Sequence, residues 1–95
     1  MRTPSFAEYN VPQHTQDSLR RYVEHGYMPG GFLTEVLCND LFLAVSRADH
    51  MNQACLSEIA KWIYNSMPMA ARGSEDQMMD WCRAVQAELA EQDKA

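Results

Sequence analysis

The sequence is short of most features that would place it among membrane, secreted or nucleic-acid-binding proteins. No apolar run approaches the ~20 residues of a membrane span; the longest, Leu41-Phe42-Leu43-Ala44-Val45, falls far below that. Met1-Arg2-Thr3-Pro4-Ser5 leads into no apolar stretch, so a secretory signal is not expected. The cysteines, Cys38, Cys55 and Cys82, are odd in number and widely spaced. That argues against a disulfide framework and for reduced, intracellular thiols. Basic residues are scarce: eight Lys and Arg against thirteen Asp and Glu, a net charge of −5. A nucleic-acid binder carries a basic patch or stripe, so direct contact with DNA or RNA is not expected. A basic protein partner is easier to reach, because an acidic surface raises its encounter rate. Sustained strand alternation is also missing, as are Asn-Gly and Asp-Gly hairpin dipeptides.

What is present is helical periodicity across one domain of 95 residues, enough for a single modest core. Residues 1–11 have no period and contain Pro4, and read as an extended arm before a helical domain over 12–92; residues 93–95 read as a frayed tail. Leu19, Tyr22 and Val23 form an apolar stripe on a helix over 13–25, with Pro12 in its first turn and Thr15 able to cap. Gly26 suits the left-handed position after its end. Phe32, Leu33, Val36 and Leu37 continue at helical spacing, are interrupted at Asn39-Asp40, and resume with Leu41, Phe42, Ala44 and Val45. A kinked helix over 31–47 and two short helices with Asn39 as the second N-cap fit equally well. Asp49 caps a helix over 50–66 whose wide apolar face marks it as central. Ser74-Glu75-Asp76-Gln77 has the form of a capping box opening a helix over 75–91. The expected fold is all-α, a small bundle of four to five mostly short helices. Its expected core is Leu19, Tyr22, Val23, Phe32, Leu33, Val36, Leu37, Leu41, Val45, Cys55, Ile59, Trp62, Ile63, Trp81, Cys82 and Val85.

Chemistry is thin. His14, His25 and His50 lack metal-ligand spacing, and no two cysteines are close enough for a zinc knuckle. Asp49-His50 could ligate only with help from another helix, and reads as a helix cap followed by an exposed histidine. The cysteines lie on or near apolar stripes and read as small core residues. Pro29-Gly30-Gly31 precedes a helix start, but with no strand before it and no Gly-Lys-Ser/Thr after it, neither nucleotide motif is met. No catalytic set, metal or cofactor is expected. Two candidate partner-binding sets remain. One is acidic, with Glu75, Asp76 and Asp80 first and Asp17 and Glu24 second. The other is apolar, formed by Tyr27, Met28, Met67 and Met69, since flexible thioethers adapt to varied partners.

One pattern spans most of the chain. His14-Thr15, Tyr22-Val23, Pro29-Gly30-Gly31-Phe32-Leu33, Asn39-Asp40-Leu41 and Arg47-Ala48-Asp49 resemble a family of small, mostly uncharacterised phage and prophage proteins. Tyr64-Asn65, Pro68 and Gly73-Ser74 with Trp81 look like its continuation, so the resemblance covers about residues 12–82. It implies a protein working in the cytoplasm of a bacterial host. Small acidic phage proteins without a catalytic set are similar to host-defence inhibitors, the anti-CRISPR proteins above all. The expected partner is then a host protein or ribonucleoprotein complex such as a CRISPR effector. The alternative is a phage regulatory or accessory interaction module. Monomer and homodimer both remain open.

Overall fold

The computed structural model describes residues 5–94 and arranges them as α-helices joined by tight turns, with no strand among the described residues. The helices are α1 (Gln13–His25), α2 (Gly31–Leu37), α3 (Leu41–Arg47), α4 (His50–Ala54), α5 (Leu56–Ser66) and α6 (Glu75–Lys94), with a single 3₁₀ turn over Met69–Ala71 before α6. The all-α expectation holds; the segment 31–47 forms two helices, one of the two readings left open, and the helix count exceeds five because the helix expected over 50–66 is divided as well.

The first division falls at Asn39, which takes the left-handed conformation at φ 64°. Asparagine tolerates that region better than most residues with a side chain. Asp40, not Asn39, caps α3 by accepting the backbone N–H of Leu43 at 3.2 Å. The chain therefore reverses, and α2 and α3 pack as a hairpin instead of forming one kinked helix. The second division falls at Cys55, between α4 and α5. No breaker residue marks it. Tertiary bonds hold α4 to α1, whereas α5 is set by the core residues Ile59, Trp62 and Ile63.

Helix α5 supplies the centre of the core: Ile59 and Trp62 are fully buried, against Leu19, Tyr22 and Val23 of α1, Leu33 and Leu37 of α2, and Met78 and Cys82 of α6. The segment expected as an extended arm joins this core over its described part, residues 5–11. Phe6 stacks on Trp62 with ring centroids 4.3 Å apart, and the buried indole N–H of Trp62 donates to the Ser5 carbonyl at 2.8 Å. Arg20 covers the outer face of Phe6, and Val11 is buried as well. A lone anchor residue has no periodicity, so sequence pattern could not reveal it. At the other end α6 runs on to Lys94; Ala95 lies outside the described residues.

Gly26 closes α1 in the left-handed conformation at φ 71°, as the sequence suggested, and for a second reason. A Cβ there would stand 2.7 Å from the Cys82 carbonyl. The bare glycine lets α1 end directly on α6, where Gln86 donates to the Gly26 carbonyl at 2.9 Å. Thr15 does not cap α1; Pro12 holds the N-cap position and Thr15 is buried inside the helix. The core expectation needs two further corrections. Leu41 and Val45 are exposed, because the α2–α3 hairpin closes over Ala44 alone. Phe32, Val36, Cys55 and Trp81 are only partly buried at the core's edge.

Candidate functional site

Several residues of the pattern quoted above meet in one region. His14 and Thr15 on α1, Gly30-Gly31-Phe32-Leu33 at the start of α2, and Asn52 on α4 line a shallow groove of about 200 Å³. Asp49 joins them through the His14 ring, whose Nε2 lies 2.9 Å from Asp49 Oδ2. The other Asp49 oxygen caps α4, accepting the Asn52 backbone N–H at 2.8 Å. These bonds hold the Asp49 carboxyl below the usual range, the Asn52 amide contributing most. One turn further in, the buried Thr15 hydroxyl donates to the buried Asn52 side-chain oxygen.

Each of these groups has a mechanical task. His14–Asp49 and Thr15–Asn52 bind α1 to α4. Gly31 leaves room for Arg47, whose guanidinium would stand 2.9 Å from a Cβ at that position. Arg47 also approaches Glu35 of α2 at 3.9 Å, and Ala48 is buried beside the hairpin. The motif is thus a set of clasps among α1, α2, α3 and α4. Ser18 lines the same groove, but among the described residues no hydroxyl or thiol is hydrogen-bonded to the His14 ring. Nor does any group of three His, Cys, Asp or Glu among them stand where it could hold a metal ion.

The thiols are placed for packing. Burial pushes the Cys38 thiol up, with Glu35, Glu75 and Asp40 adding to the shift, and burial alone raises Cys82. Both changes reduce the thiolate, which is the nucleophilic form. Cys38 instead contacts the Met78 thioether at 3.6 Å.

The acidic residues proposed from sequence do not form one face. Glu75 and Asp76 are exposed in the first turn of α6. Asp80 is exposed but paired with Arg83 at 2.9 Å. Asp17 lies on α1 between Gln13 at 2.9 Å and Arg20 at 3.7 Å. Glu24 sits in a cleft between α1 and α6 with Trp81 and Glu88. Thirteen residues of helix, about 20 Å at 1.5 Å per residue, separate Glu88 from Glu75. The first-ranked set is therefore a single exposed cluster and the second is scattered.

The apolar set divides too. Met67 is buried in the core and leaves it. Met69 is exposed on the 3₁₀ turn. Tyr27 and Met28, however, meet α6, where with Met79, Cys82, Arg83 and Gln86 they line a hollow of about 340 Å³. Tyr27 is 58% exposed, and Met28 and Met79 each remain about 40% exposed, so their apolar surface is open to solvent. At 100° per residue, Asp76, Asp80 and Arg83 share the side of α6 turned away from the buried Met78, Cys82 and Val85, Met79 lies between the two sides, and Glu75 sits over Cys82, near Cys38. The sequence offered an acidic and an apolar surface as alternatives. The fold brings their better halves to one helix, with an apolar hollow lined in part by Arg83 and with Asp76 and Asp80 beyond it on α6. Met79 joins them, a residue the sequence reading passed over because it lies just off the stripe of α6.

Among the described residues no helix is long and apolar enough to cross a membrane. No family model matches this chain, and no curated protein or solved structure matches it.

Proposed function

We propose that this chain acts by stoichiometric binding and not by turnover, as a phage-encoded inhibitor that occupies a host nucleic-acid-handling complex in the manner of an anti-CRISPR protein. The observation that carries this reading is the surface formed by Tyr27, Met28 and Met79, with the exposed Asp76 and Asp80 near Met79 on α6. Interfaces combine a desolvated apolar centre with a polar rim. A surface whose rim is acidic suits a protein groove lined with the Lys and Arg that hold nucleic-acid phosphates. The net charge of −5 favours the same partner and disfavours nucleic acid itself. The phage-family resemblance supplies the setting, and the motif residues, occupied in holding helices together, leave the binding work to this surface.

The test is biological and physical together. Expression of the chain in a CRISPR-immune bacterium should restore plaquing of a targeted phage, and the purified chain should bind the purified effector. Tyr27→Glu should abolish both effects while leaving the helical circular dichroism intact. Asp76→Lys with Asp80→Lys should slow association about tenfold or more at low salt, because rim charges mainly set encounter rate. Unchanged plaquing, with no binding to any CRISPR effector tried, would reject the inhibitor reading.

A further inference from the structure

The α2–α3 hairpin carries a second apolar surface that shares no residue with the one above. Helix α3 is Leu41-Phe42-Leu43-Ala44-Val45-Ser46-Arg47, and only Ala44 is buried. Leu41 is 61% and Phe42 87% exposed, and Leu43 and Val45 are open as well. A contiguous apolar patch of this kind is rare on a surface that touches only water. Beside it lies an apolar groove of about 200 Å³ between the hairpin and α5, lined by Val36, Asn39, Leu41, Ala44, Leu56 and Ala60.

We infer that this face is a two-fold homodimer interface, in which Phe42 of each copy enters the groove of the other. Three observations select a second copy over a different protein. Leu41 lines the groove, and Val45 and the 87% exposed Phe42 follow it around the same helix, within about 100° of arc. A two-fold contact requires that arrangement, since one patch must present both the knob and the hole. The patch is also free of charge: residues 41–46, Val36, Leu56 and Ala60 carry none, so two chains of net charge −5 can meet there without bringing acids together. Finally, the charges bracketing α3 are opposite in sign, Asp40 before it and Arg47 at its end. Antiparallel pairing of two α3 helices sets each against its opposite on the second copy, with the helix dipoles opposed.

Sedimentation equilibrium from low-micromolar to near-millimolar protein tests this without reference to any host partner. Wild type should move from the chain mass to twice that mass. Phe42→Glu and Ala60→Arg should each weaken self-association at least about tenfold. Both positions are exposed, so the circular dichroism of each variant should match wild type, and so should its melting at concentrations where wild type is monomeric. An equimolar mixture of the two variants should dimerise again. One knob then finds an intact groove, and at the other contact the new carboxylate at 42 meets the new guanidinium at 60. Wild type that stays monomeric at the highest concentration would overturn the inference. So would a dimer indifferent to Phe42→Glu, or a mixture that fails to re-form dimers.

Discussion

Leu41-Phe42-Leu43-Ala44-Val45 on α3 is more apolar than Ile59-Ala60-Lys61-Trp62-Ile63 on α5, which includes a lysine, yet it is the α5 segment that is buried. Helix α5 buries Ile59, Trp62 and Ile63 and exposes Ala60 and Lys61. Helix α3 buries its smallest apolar residue and exposes the large ones. The difference is one of periodicity. Positions 59, 62 and 63 fall on one stripe, so a single layer of neighbours covers them. A continuous run of five apolar residues points in every direction around a helix, and a chain of 95 residues has no second layer to enclose it. Ala44 faces inward because α2 and α3 can then pack closely. The surplus on α3 is therefore binding surface, and α5 is structure.

The sharpest way to break this comparison is to shorten one large side chain on each helix. Trp62→Ala should lose about 3–5 kcal/mol in urea unfolding, through the cavity it leaves and the lost stacking with Phe6. Phe42→Ala should stay within about 0.5 kcal/mol at protein concentrations low enough to keep the chain monomeric. Equal losses would mean that α3 belongs to the core.

A smaller effect should separate α4 from α5. Thr15→Val leaves the buried Asn52 oxygen without its donor, at a cost of about 1–3 kcal/mol. Adding Asn52→Leu removes both polar partners and should recover much of that loss. A double variant no better than the single would show that the pair does not fix where α4 ends.

The smallest effect is expected at Asp49. Its folded-state carboxyl is held low, so its contribution to stability is present above the unfolded value and is lost as pH falls through the folded one. Asp49→Asn can still cap α4 but cannot titrate. The melting temperatures of wild type and Asp49→Asn should differ near neutral pH and converge as pH falls through and below the ordinary carboxylate range. Parallel curves over that range would dissociate Asp49 from the acid response.

Helix α1 was legible from Leu19, Tyr22 and Val23 and from Gly26, because stripe and stop signal agree there. Asp49 and Ser74 were legible as caps for the same local reason: Ser74 accepts the Gln77 backbone N–H at 3.2 Å. The proposed binding surface was legible only in fragments. Glu75 and Asp76 stood out by charge and Tyr27 and Met28 by their loop, but they lie some 50 residues apart in the chain, and nothing local indicates that Met79 joins them. Met67 illustrates the reverse error: a methionine beside a loop proline read as surface, and the turn before the 3₁₀ segment folded it inward.

The sequence by itself determined the helices, most of their ends and the all-α class, since these follow from side-chain spacing and from capping groups within a few residues. The tertiary structure alone decided which apolar residues are core and which are surface. It bent residues 5–11 over Trp62, divided the helix at Cys55, and left α3 uncovered. Burial is a competition among all elements for limited interior volume, so the outcome for Phe6 or Phe42 depends on neighbours far away in the chain.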